Sequence, residues 1–155
     1  MKSSRPVLLV EDDSIDAMTV RRAFRDLKVA NPLQHTVNGE QALAYLQNPE
    51  NDKPCVILLD LNMPKMNGTE FLAIAKTDPA IKKIPVIVLT TSSEERDIVQ
   101  SFRFSVAGYI IKPVDYKKFV EAIRTIDLYW TLSELPYEAT EGVNDLQHAD
   151  STCGR

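Results

Sequence analysis

Cysteine is scarce: only Cys55 and Cys153 occur in 155 residues. One lies beside an apolar run and the other close to the carboxyl end, a spacing that matches neither a disulfide framework nor a zinc site and implies a reducing, cytoplasmic setting. Long hydrophobic runs are missing too. The amino-terminal stretch Val7–Val10 meets acidic Glu11 at once, too short for a signal-peptide core or a membrane span, so no membrane association is expected. Basic excess is also absent. The net charge is -4, residues 134–155 hold five acids against Arg155 alone, and the preceding 133 residues balance at 17 bases and 17 acids. With no basic stripe to follow a phosphate backbone, direct nucleic-acid binding is not expected, and partners should be proteins. Histidine is limited to His35 and His148, neither with a partner at ligand spacing, and both read as incidental. There is no internal repeat, helix-turn-helix signature or second apolar-periodic block after Trp130, so no output domain is expected.

What remains is a chain that is 44% hydrophobic, enough to bury one core. Short apolar runs alternate with amphipathic stretches, as in parallel strands joined by crossover helices. The strands are expected at Val7–Val10, Leu33–Val37, Val56–Asp60, Val86–Thr90 and Gly108–Ile111, and unbroken Val/Ile/Leu runs imply burial on both faces. The first helix should be capped near Ser14 and turn Ile15, Met18, Ala23 and Leu27 to the sheet. The second follows Asn38-Gly39 and stops before Pro49; the third runs from Gly68 to about Asp78, ahead of Pro79. The fourth should open at Ser92 or Ser93, with Glu94, Glu95 and Asp97 in its first turn. The fifth, from about Asp115, aligns Phe119, Ile123, Ile126 and Trp130. A single domain over 1–135 and a polar, acidic, mobile tail over 136–155 follow.

In an open parallel sheet the ligand site lies beyond the carboxyl ends of the strands. The first strand delivers Glu11-Asp12-Asp13 there, the third Asp60, the fourth Thr90-Thr91 and the fifth Lys112-Pro113. Glu11, Asp12 and Asp60 together are costly without a cation, and all-oxygen ligation suits magnesium, which completes its shell with water and a phosphate oxygen. A carboxylate can attack phosphorus, and phosphoryl transfer needs positioning and charge neutralisation above all. Asp60 is the best-placed nucleophile, with magnesium, Lys112 and Thr90 sharing the phosphoryl charge. A cis peptide before Pro113 would turn Lys112 inward. Asp13 and Asp16 read as cap and first-turn charges.

The motifs Leu-Val-Glu-Asp-Asp at 9–13, Leu-Asp-Leu-Asn-Met-Pro at 59–64 with Asn67-Gly68, Leu-Thr-Thr-Ser at 89–92, Ala-Gly-Tyr at 107–109 and Lys112-Pro113 occur in order. Together they resemble receiver domains of two-component response regulators, over roughly residues 5 to 130. The narrower resemblance is to single-domain regulators paired with bacterial phytochrome-type histidine kinases; it rests on Asp16, Glu94-Glu95 and the segment 127–136. The family resemblance implies a flavodoxin-like, doubly wound α/β fold with five parallel strands in the order 2-1-3-4-5 and helices on both faces. It implies Asp60 as phosphoacceptor, Asp12 as direct magnesium ligand, Glu11 acting through water and Asn62 lending its backbone carbonyl. Lys112 becomes the phosphate-binding base, Thr90 the switch hydroxyl and Tyr109 the aromatic that turns inward. The donor would be a sensor histidine kinase or a phosphotransfer protein. Asn62 and Thr91 would flank the path of a hydrolytic water, with the bulk of Thr91 making phosphate loss slow. Ser105 departs from the subgroup, which carries glycine there, so the end of the fourth helix should be rebuilt.

Phe102, Phe104, Tyr129 and Trp130 gather on the face of the fourth helix, fifth strand and fifth helix. Core packing and symmetric homodimerisation are both open readings of them. Three rivals stand beside the phosphoacceptor reading. A haloacid-dehalogenase-type phosphohydrolase would need a second acid where Asn62 stands. A degenerate receiver scaffold would have lost part of the acidic set or the lysine. A flavodoxin would need a phosphate-cradling loop after its first strand.

Overall fold

The computed structural model describes residues 5–132. The expected tail, and the side chains of Tyr129 and Trp130, lie outside the described residues. Elements alternate without exception: β1 (Val7–Val10), α1 (Ser14–Asp26), β2 (Leu33–Thr36), α2 (Gly39–Gln47), β3 (Val56–Leu59), α3 (Gly68–Ala75), β4 (Val86–Thr90), α4 (Glu95–Arg103), β5 (Gly108–Ile111) and α5 (Tyr116–Leu132). The five strands pair in parallel in the order β2-β1-β3-β4-β5, the flavodoxin-like arrangement.

Strand periodicity divides the core in two. Leu8, Val10, Ile57, Leu59, Val86 and Val88 face one way, onto Leu46 of α2 and Phe71 and Leu72 of α3. Val7, Leu9, Val56, Leu58, Ile87 and Leu89 face the other, onto Ala17, Val20 and Phe24 of α1 and Phe119, Ile123 and Ile126 of α5. Every residue of β1, β3 and β4 is buried, as continuous apolar runs require, while the edge strands β2 and β5 are partly exposed.

Two helices depart from their expected phase. In α1 the cap is Asp13, not Ser14, and its carboxylate accepts from the Ile15 and Asp16 backbone N–H groups. Ile15 and Met18 point outward, 70% and 64% exposed, while Ala17, Val20, Ala23 and Phe24 meet the sheet. Small alanines let the helix approach the strands where longer side chains would hold it off. Helix α4 starts at Glu95, two or three residues later than expected, with Glu94 as a cap that makes no side-chain bond. Ser92 is engaged elsewhere: its hydroxyl donates to Asp97 at 2.6 Å and its carbonyl accepts from the Tyr109 hydroxyl. Ser101 alone is buried among the α4 residues, so this helix is the least anchored of the five.

The rebuilt cap expected at Ser105 is not formed. Ser105 takes φ 61, and Ser105 N–H and Val106 N–H donate to the Phe102 and Ser101 carbonyls, the pattern of a left-handed C-terminal cap. Serine thus occupies the conformation that glycine would adopt more easily. No cis peptide bond occurs among the described residues, so the Lys112–Pro113 bond is trans. Lys112 is drawn inward without it, by a 2.7 Å backbone bond to the Thr90 carbonyl and by the carboxylates its side chain meets.

Candidate functional site

Register, more than any loop, assembles the site. Val10 pairs with Leu59 and Thr90 with Ile111, so Glu11, Asp60 and Lys112 emerge side by side one residue past their strands. The Asp60 N–H donates to the Val10 carbonyl at 3.0 Å, tying the acceptor's backbone to β1. Gly68 permits the start of α3 to pass under this strand end, because a Cβ there would lie 2.6 Å from the Asp60 carbonyl oxygen and 2.7 Å from the Leu61 Cα.

One carboxylate oxygen each from Glu11, Asp12 and Asp60 lies within 4.8 Å of the others. Glu11 and Asp60 are buried, Asp12 exposed. The Lys112 ammonium donates to Glu11 Oε1 at 2.6 Å and to Asp16 Oδ2 at 2.8 Å, and stands 4.0 Å from Asp60 Oδ2. Burial pushes the Glu11 carboxyl up to about 7, and the Asp60 charge adds to this while the Lys112 hydrogen bond opposes it. Burial pulls the Lys112 ammonium down, but its hydrogen bonds to Asp16 and Glu11 and the charge of Asp60 outweigh that, and the net direction is upward. One ammonium therefore serves three carboxylates, and Asp12 adds a fourth to the cluster. The unbalanced charge and the purely oxygen donor set both fit a hard divalent cation held by Glu11, Asp12 and Asp60.

The other expected residues sit around this centre. Asn62 N–H approaches Asp60 Oδ1 at 3.4 Å. Thr90 is fully buried, its hydroxyl oxygen 3.4 Å from the Ser92 N–H. Tyr109 is half-buried, its hydroxyl donating to the Ser92 carbonyl at 2.9 Å, so its ring is linked to the β4–α4 loop. Burial raises its phenol above the ordinary value. Thr91 lines a pocket of about 260 Å³ with Asp16, Thr19, Lys112, Val114 and Phe119. Phe102 is half-exposed, whereas Phe104 packs against the core.

Sequence reading missed two contacts. Asp16 is a counter-ion of Lys112 across 96 residues, in addition to being a first-turn charge. His35, set aside as incidental, reaches the Glu11 carbonyl with its Nε2 at 2.8 Å. Neither partnership leaves a periodic signal, because each joins residues that only the sheet brings together.

The model of the response regulator receiver domain matches residues 7–124. Response regulator Rcp1 of Synechocystis sp. is 38% identical over 128 residues, which span 80% of this chain and 87% of that protein. Among solved structures, the phosphorylated cyanobacterial phytochrome response regulator RcpA superposes with a TM-score of 0.81 at 34% identity, covering 86% of this chain and 99% of that one. The Mn2+-bound form of Rcp1 superposes with a TM-score of 0.79, also at 34% identity, covering 86% and 99%.

Proposed function

The chain belongs to the response regulator receiver domain family, and on that premise we propose that Asp60 accepts a phosphoryl group from the phosphohistidine of a sensor histidine kinase or phosphotransfer protein. Receiver domains are signalling phosphoacceptors more than enzymes, and their partners are such proteins. The observation that carries the reading here is Lys112, whose ammonium meets Glu11 and Asp16 and stands 4.0 Å from Asp60 within a three-carboxylate cluster.

In the transfer, an Asp60 carboxylate oxygen attacks phosphorus in line. A P–O bond forms, the P–N bond to the imidazole breaks, and the imidazole nitrogen keeps the electron pair and takes up a proton. Magnesium, when bound, neutralises charge on the phosphoryl oxygens and on the acids around them. Asp12 would hold it directly, Glu11 would act through water, and Asn62 would offer its backbone carbonyl. Lys112 exchanges part of its carboxylate contacts for a phosphoryl oxygen. Thr90 turns its hydroxyl toward the phosphoryl group and Tyr109 follows inward, giving up the Ser92 carbonyl and releasing the loosely anchored α4. Water later cleaves the P–O bond, slowly, past the side chains of Asn62 and Thr91.

Two surfaces support a protein-to-protein relay in the cytoplasm. Ile15 and Met18 on α1, with fully exposed Val114, offer apolar area beside the Thr91–Lys112 pocket for the donor to cover. Val99, Phe102 and Ile111 are 45–50% exposed on the α4-β5-α5 face, which suits a phosphorylation-dependent symmetric homodimer. The likeness to phytochrome response regulators favours a phytochrome-type kinase as donor. No described helix is long and apolar enough to cross a membrane.

Intact-mass spectrometry after incubation with acetyl phosphate and magnesium tests the reading. The wild type should gain the mass of one phosphoryl group and Asp60→Asn none; equal labelling of both would overturn the assignment.

A further inference from the structure

Within the phosphoacceptor reading, which this inference rests on, we propose that His35 is a positioning residue for the divalent cation, holding the Glu11–Asp12 peptide so that the Asp12 carboxylate stays at the metal site. The β1–β2 ladder shows why a side chain is needed there. Val7 N–H donates to the Pro32 carbonyl and Glu11 N–H to the Thr36 carbonyl, in parallel register. Continued by one step, the pattern would bring the Asn38 N–H to the Glu11 carbonyl. But β2 ends at Thr36, and Asn38 serves as N-cap of α2. The Glu11 carbonyl instead meets His35 Nε2 at 2.8 Å. A carbonyl can only accept, so the ring carries a proton on Nε2.

That carbonyl belongs to the peptide from which Asp12 hangs. The Glu11 side chain has its own supports, Lys112 at 2.6 Å and the Asp13 N–H at 3.2 Å. Among the described residues the exposed Asp12 carboxylate has no hydrogen bond, and its place at the cluster follows from its backbone alone. Releasing the peptide plane therefore loosens Asp12 first. Partners that orient a metal ligand typically contribute about 10–100-fold in affinity, and a backbone hinge of this kind belongs at the lower end.

The test compares wild type, His35→Leu, His35→Val and His35→Gln, the last keeping an N–H donor. Magnesium affinity is measured by calorimetry, acetyl phosphate labelling at saturating magnesium by mass, and stability by urea. Expected are a roughly tenfold weaker Kd in the Leu and Val variants, recovery to within about threefold in Gln, and unchanged labelling rate once magnesium saturates. Val suits a strand better than Leu and carries the comparison should the Leu variant not fold. Wild-type affinity in either apolar variant, no recovery in Gln, or a labelling rate that stays low at saturating magnesium would overturn the proposal. So would nitrogen NMR of metal-free wild type showing the ring proton on Nδ1, whatever the variants do. A wild type that binds no magnesium and takes no phosphate would sink the phosphoacceptor reading itself.

Discussion

Gly68→Ala sets two physical effects against each other with opposite signs. Gly68 opens α3 with φ outside the left-handed region, so alanine suits the helical backbone and its propensity alone favours the variant by up to about 1 kcal/mol. Packing opposes this. The new Cβ would meet the Asp60 carbonyl oxygen at 2.6 Å, the Leu61 Cα at 2.7 Å and the Leu61 Cδ2 at 2.9 Å. The first two are backbone atoms of the segment tied to β1 through the Asp60 N–H bond, so they have little room to yield. Overpacking of this kind costs about 1–3 kcal/mol, and two backbone contacts put it at the upper end. The net expectation is a loss of about 2 kcal/mol, read as a lower urea midpoint at unchanged slope. Because the clash falls on Asp60, magnesium affinity and acetyl phosphate labelling should fall with it. Gly108→Ala is the matched control: its Cβ would touch only Ile87 side-chain carbons at 3.8 and 4.0 Å, so no destabilisation by contact is expected. A Gly68→Ala protein as stable as wild type, with normal labelling, would refute the view that α3 is pinned beneath the phosphoacceptor.

Ser105→Gly should stabilise the protein by about 1 kcal/mol in urea unfolding, since φ 61 is left-handed and glycine adopts it without the Cβ penalty; no gain would mean that serine bears no strain there. Glu11 has a folded value of about 7 against an ordinary 4.5, so the folded state holds its proton more tightly than the unfolded. The stability it contributes without metal is present below about pH 4.5 and is lost as pH rises through about 7, a swing of up to about 3 kcal/mol. Metal-free unfolding of wild type should show this decline relative to Glu11→Gln, and a difference that rises over the same window would contradict it.

Much of the carboxylate and lysine cluster is legible in the sequence, because a parallel strand announces itself by an unbroken apolar run and its end then projects at the functional edge. Asp60 and Thr90 stand out as the last residues of expected strands, and Glu11, Asp12 and Lys112 as the one or two residues that follow Val10 and Ile111. Helix phase was less legible. The stripes through Ile15–Met18 and Ala17–Val20 are both apolar, and hydropathy favours the larger side chains although the sheet accepts the smaller. The start of α4 was placed too early because Ser92 and Ser93 followed by Glu94, Glu95 and Asp97 have the charge pattern of a first turn, whereas Asp97 and Tyr109 engage the Ser92 hydroxyl and carbonyl and keep that residue in the loop.

Local patterning, then, determined the number and order of elements and the chemistry at their ends, since these follow from periodicities of a few residues. Which carboxylates share Lys112, which carbonyl His35 holds and which face of α1 looks outward were decided only when the sheet closed in the order β2-β1-β3-β4-β5. Those contacts join residues 24 to 101 positions apart, and over such separations short-range patterning carries no information about which side chains meet.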